Sequence, residues 1–257
     1  MRSPKRSAMS SSWSRRRCDN YFLSDGKGDE VLPKSEKEQL RLCMKDSMKV
    51  LAKDIRAKVT TSCVYKKDNE YFWYIQDTPH LNNTRMVTIG IKPWHYDELV
   101  LSIAYPEKTI HITDKLRWDG AYMAPCFIIS QKAYELPIDT SGRIDFGKIP
   151  EMCKMIFDDS MGCISEFCKS IENAYGDINE FHIQRASTDP LGAGLAHIDR
   201  KEYLQAIEQF RIAKKRRLAF HWCFGSTKRD LRDVLLDYCI VSQSGQKWTK
   251  EMVAPSI

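Results

Sequence analysis

The sequence predicts an α+β protein: an antiparallel sheet of five or six strands packed on helices, followed by a C-terminal helical segment. Three observations carry that class. Apolar residues recur every three to four positions through 40–55, the period drops to two between 63 and 130, and the helical period returns after Pro150. The strand-like runs are joined by short connections, which suits antiparallel pairing better than crossover units. With 257 residues, 42% of them hydrophobic, the chain can bury a core, so global disorder and collagen-like classes are excluded.

Residues 1–34 are polar, rich in Ser and Arg, and have almost nothing to bury, so they read as a disordered basic tail. Ser35 and Glu38 have the spacing of a capping box. Behind them Leu40, Met44, Met48, Leu51 and Ile55 give an amphipathic helix to about Lys58. CVYKKDNEYFWYIQDT (63–78) reads as a hairpin turning at Lys66–Asn69. RMVTIGIKP (85–93) and ELVLSIAYP (98–106) are two further β-rich runs, each closed by proline. TIHIT (109–113) is a short edge candidate, and AYMAPCFIIS (121–130) is a last strand. Together these runs make a helix-plus-antiparallel-sheet domain over 35–175.

Pro150 suits a first helical position, and Met152, Ile156, Ser160, Ile164, Phe167 and Ile171 form one stripe to about Glu172. Gly162 weakens its middle and leaves two shorter helices as the alternative. A C-terminal helical segment follows over 176–240. In it Asp199 and Glu202 resemble a second capping box, and a last helix runs from about Thr227 to Tyr238. Residues 241–257 read as a fraying tail.

Two resemblances follow from these residues. The order of helix, hairpin ending at Gln76, VTIGI strand (87–91) and proline-started helix, with YFWYIQ at 71–76, resembles a bacterial domain of unknown function catalogued as family 4304. The resemblance spans about 40–175 and implies a small antiparallel sheet on helices, with no activity attached. The family's Gly-Phe before the first strand is absent here, where AKVTTSC stands. Tyr203, Ala206, Ile207, Phe210 and Ala213 resemble the second helix of a tetratricopeptide repeat, with LGAGLAHI (191–198) ending the first. That implies one helix pair near 191–214, whose small residues allow close approach.

Catalytic chemistry has thin support. Trp94-His95-Tyr96-Asp97-Glu98 follows Pro93 and is expected in a turn, where a histidine beside a carboxylate could serve as general base. His95, Asp97, His111 and Asp114 are therefore the candidate catalytic residues of a hydrolase or nuclease alternative. Asp158 and Asp159 are adjacent on a helix and point about 100° apart, so they cannot converge on one atom. No G-x-S-x-G, phosphate loop, C-x-x-C, H-x-H or H-x-x-x-H motif is present. No cofactor or metal is expected, and the nine cysteines read as free thiols of a reducing compartment.

The net charge of +6 is unevenly spread. Residues 1–34 carry +4, residues 199–238 carry +4, and the remainder carries −2. The basic clusters are Arg15, Arg16 and Arg17 on the tail and Lys214, Lys215, Arg216 and Arg217 at a helix end. They would offer nucleic acid only non-specific phosphate contacts. No apolar run is long enough to cross a membrane and no signal-peptide core follows the first residues, so the expected location is cytoplasmic. The leading expectation is a non-catalytic protein-binding or accessory module, with Trp73, Trp94 and Tyr96 as candidate binding aromatics. The remaining alternative is a non-specific nucleic-acid-binding accessory protein.

Overall fold

The structure, a computed structural model, describes residues 34–80, 83–106, 113–119, 124, 126–218, 223–224 and 229–253. The predicted 1–34 tail, with Arg15, Arg16 and Arg17, lies outside them apart from Lys34, as does TIHIT apart from Thr113.

The fold is α+β. Helix α1 (Lys34–Asp54) precedes strands β1 (Lys58–Val59), β2 (Cys63–Asp68), β3 (Tyr71–Pro79) and β4 (Thr84–Pro93). Helices α2 (His95–Ala104) and α3 (Asp114–Asp119) lead to β5 (Phe127–Glu135), and the long α4 (Ile149–Tyr175) follows. The sheet is a meander in the order β1-β2-β3-β4-β5, antiparallel throughout. C-terminal to α4 come α5 (Ile178–Gln184), α6 (Pro190–Asp199), α7 (Tyr203–Lys215), a short β6 (Cys223–Phe224) and β7 (Arg229–Asp230) pair, α8 (Leu231–Gln243) and α9 (Lys250–Val253).

The period-two pattern sorts the sheet residues between two faces. Val64, Trp73, Ile75, Val87, Ile89 and Ile91 turn to one face, against Leu40, Met44, Met48 and Ala52 of α1 and Ile149, Met152, Cys153 and Ile156 of α4. Cys63, Tyr65 and Phe72 turn to the other. There the Tyr74 ring lies over Gly90, where a Cβ would stand 2.3 Å from the ring. Only glycine admits that approach. Gly162 does not interrupt α4, which runs unbroken across the first face.

A second core is wholly helical. Val100, Ile103 and Ala104 of α2 meet Leu195 and Ala196 of α6, Ala206 and Phe210 of α7, and Leu231, Val234 and Leu235 of α8. Helices α6 and α7 form a tight pair, in which a Cβ on Gly194 would lie 2.6 Å from the Phe210 ring. Trp248 closes this core by donating from Nε1 to the Ile103 carbonyl at 2.7 Å.

Several local expectations are corrected. Residues 98–106 do not form a strand, because His95–Ala104 is helix α2 and Trp94–Glu98 begins its first turn. The run resembles a buried strand because Leu99-Val100-Leu101 is continuous apolar sequence, although His95, Glu98 and Ser102 form a polar stripe at helical spacing. The β2–β3 turn falls at Asn69-Glu70, with Asn69 at φ 46, so Lys66 and Lys67 remain in the strand. Strand β5 starts later than expected and continues to Glu135. Asp199 ends α6 instead of capping the next helix, and Glu202 precedes α7 without a side-chain cap. Helix α8 continues to Gln243, and α9 with the buried Trp248 follows where a fraying tail was expected. No described helix is long and apolar enough to cross a membrane.

Candidate functional site

Three polar constellations emerge from the fold. The first is buried at the end of β4. Lys92 pairs with Phe72 across the sheet, on the face away from α4. Its Nζ donates to Asp97 Oδ1 at 2.7 Å, to the Arg117 carbonyl at 2.9 Å and to the Ala124 carbonyl at 2.8 Å. Asp97 also accepts from the Ala124 N–H at 2.9 Å and from Arg117 Nη1 at 3.2 Å. Arg117 donates further to the Trp94 carbonyl and to Glu98. Burial pushes the Asp97 carboxyl above the usual carboxylate range, against the opposing pull of Lys92 and Arg117. Every Lys92 donor is used and Asp97 is fully enclosed, so the cluster fastens β4 to α2 and α3 and presents nothing to a substrate. The neighbouring Cys126 thiol is pushed up to about 11 by burial, which keeps it protonated and unreactive at neutral pH.

The second constellation joins α2, α5 and α6. His95 Nε2 lies 3.3 Å from Asp199 Oδ2, which also accepts from Asn179 Nδ2 at 2.8 Å. Tyr96 donates to Asn179 Oδ1. The hydrogen bond from His95 is the main cause that holds the Asp199 carboxyl below its usual range, with Asn179 assisting.

Of the candidate catalytic residues, the three that lie among the described residues, His95, Asp97 and Asp114, each have a different partner. His95 and Asp97 stand two positions apart on α2, which turns them to nearly opposite sides. His95 meets Asp199, whereas Asp97 is enclosed with Lys92 and Arg117. Asp114 pairs with Lys58 at 2.9 Å, and His111 lies outside the described residues. Among the aromatics, Trp73 and Tyr96 are core residues, 2% exposed each. Trp94 donates from Nε1 to the Asn69 carbonyl at 2.6 Å, and its ring lies 3.2 Å beneath Lys67 Nζ. In the basic run, Lys214 pairs with Asp233 and Arg216 donates to the Ser187 carbonyl. Lys215 and Arg217 are exposed.

The third constellation is a cleft of about 350 Å³ between α4 and the β4–β5 side of the sheet. Register sets Val87 opposite Lys132 and Ile89 opposite Ser130, all turned toward α4. Val87 and Ile89 floor the cleft, while Asp158, Asp159, Gly162, Cys163 and Glu166 of α4 wall it. Lys132 crosses it to Asp159 at 2.6 Å, and the Tyr134 hydroxyl donates to the same carboxylate oxygen at 3.0 Å. Lys132 and then Tyr134 hold the Asp159 carboxyl below its usual range. Burial, then Asp159, pushes the Tyr134 hydroxyl up to about 12, so it remains a donor. Asp158 turns away to Lys154, as the 100° between neighbours on a helix requires.

Two features set this cleft apart from the others. It borders β5, the last strand of the sheet, whose nine residues have no strand on their outer side among the described residues. Of those nine, only Tyr134 is buried. The second feature is Gly162, in the middle of a 27-residue helix, where an added Cβ would meet nothing within 4 Å. Glycine there forfeits about 1 kcal/mol of helix propensity relative to alanine. Neither a turn nor a close neighbour accounts for it, and its effect is to leave the cleft wall bare. Sequence reading passed over this cleft because its members come from β4, β5 and α4. The mid-helix glycine was the one local signal.

Among the described residues no group of three His, Cys, Asp or Glu side chains is placed to hold a metal ion. Comparison of the chain with protein-family models, with curated proteins and with solved structures found no match.

Proposed function

We propose that the chain is a non-catalytic binding module that takes up an extended segment of another protein as an added strand on β5. The observation that carries this reading is the outer edge of β5, which no other strand among the described residues pairs with, beside a cleft. Main-chain hydrogen bonds along such an edge supply affinity, and a neighbouring pocket for alternate side chains supplies specificity. The other sheet edge, β1, has only two residues and is too short a template. The polar clusters away from the cleft support the same reading from the chemical side. Lys92 spends its three donors on Asp97 and two main-chain carbonyls, Asp97 accepts from Lys92, Arg117 and the Ala124 N–H, and His95 is engaged by Asp199.

A partner held by the full chain should slow amide hydrogen exchange along Phe127–Glu135. It should be released by Gly162→Trp, which fills the cleft from the α4 side. Protection confined to other elements, with β5 exchanging as in the free chain, would rule the reading out.

A further inference from the structure

Resting on the strand-addition reading, we infer that the added segment is basic, and that one of its lysine or arginine side chains enters the cleft at Asp159 and Glu166 in place of Lys132. The α4 flank above the cleft has a fixed pattern. Met155, Asp159, Gly162 and Glu166 fall at intervals of four, three and four residues, which places them on one stripe of the helix. Met155 is 49% exposed, and Glu166 has no ion-pair partner among the described residues. A strand added to β5 would run about 4.8 Å beyond it, with alternate side chains turned toward that stripe. Such a side chain passes over Ser130 and Lys132 of β5 toward the cleft, which offers a bare stretch at Gly162 and carboxylates at Asp159 and Glu166. A long cationic side chain suits this surface, because its methylene stem can span β5 while its head group reaches the acids.

Charge points the same way. The cleft wall holds three carboxylates, Asp158, Asp159 and Glu166. Lys154 neutralises the first and Lys132 the second, leaving Glu166 uncompensated among the described residues. Lys132 already demonstrates the fit, since its ammonium sits at 2.6 Å from Asp159. Both partners of that pair are largely exposed, at 59% and 42%, so water and a second ammonium can exchange with it readily. Lys132 is thus an internal competitor: it covers the acid when the edge is empty and yields to the incoming cation.

The test uses blocked peptides of nine residues, the length of β5, built from threonine and valine and differing only at the central position. That position is lysine, arginine, norleucine or glutamate, and binding to the full chain is followed by fluorescence anisotropy. The lysine and arginine peptides should bind about tenfold tighter than norleucine, and glutamate weakest. Asp159→Asn and Glu166→Gln should each erode that preference, read as a fall in the ratio of lysine-peptide to norleucine-peptide affinity. Lys132→Met should tighten the lysine peptide and leave norleucine unchanged, an effect that a purely structural role of Lys132 would not produce. Equal affinity for all four peptides, or tightest binding of glutamate, would overturn the assignment of a basic segment while leaving strand addition intact. Failure of every peptide to bind, with β5 amide exchange unaltered, would overturn strand addition itself.

Discussion

Two lysine–aspartate pairs in this chain have nearly the same length and opposite surroundings. Lys92 and Asp97 meet at 2.7 Å with side chains 2% and 0% exposed, whereas Lys132 and Asp159 meet at 2.6 Å with side chains 59% and 42% exposed. Distance therefore says little about what a pair does. In the first, water cannot replace either partner, so removal of one leaves the others buried and charged. In the second, water screens the attraction and can substitute for it, so the pair contributes little to stability and opens at little cost. The enclosed pair fastens the end of β4, and the open pair is available for exchange.

The largest effect should come from breaking the enclosed pair. Asp97→Ala strands the buried Lys92 without a counter-charge, leaves Arg117 only the exposed Glu98, and should cost about 3–5 kcal/mol in urea unfolding at neutral pH. A loss comparable to that of an exposed pair would mean that solvent reaches the end of β4. The two helical glycines extend the contrast from charge to packing. Gly194→Ala forces the Phe210 ring out of place and should cost about 1–3 kcal/mol. Gly162→Ala meets open space and should stabilise the chain by about 0.5–1 kcal/mol.

The Asp199 carboxyl supplies a smaller effect with a definite sign. Its folded pKa lies below the ordinary carboxylate value, so its contribution is present above that value and fades as pH falls through the folded one. His95→Ala should therefore flatten the acid limb of stability below about pH 4, read as the difference between variant and parent unfolding midpoints. Smallest of all, Lys132→Met should leave the unfolding midpoint essentially unchanged. A clear drop there would show that Lys132–Asp159 is a structural tie and would remove the contrast.

Elements with one wet face were legible from residue spacing. The stripe from Leu40 to Ile55 and the run from Met152 to Ile171 each report a surface half in water, and they match α1 and α4. Helix α2 was not legible, because the run Leu99-Val100-Leu101 looks like a buried strand and outweighs the short polar stripe of His95, Glu98 and Ser102. The cleft was legible only in part. The divergence of Asp158 and Asp159 was read correctly from helix geometry, yet the partner of Asp159 stands 27 residues earlier, on β5. Spacing within one element carries no information about a neighbour supplied by another.

The hydrogen bond from Trp248 to the Ile103 carbonyl bridges 145 residues and bears on the order in which the chain matures. The meander β1–β5 and α4 can assemble from segments close in sequence, but α2 has its apolar sides covered only once α8 and α9 have been made. Closing so long a loop comes late, since its entropy is lost before its contacts repay it. A chain emerging from the ribosome thus holds a formed sheet with a bare, sticky helix beside it until the last turn arrives. Cutting the chain just before Trp248 would preserve that interval indefinitely, and such a product should be a client of chaperones and prone to aggregate.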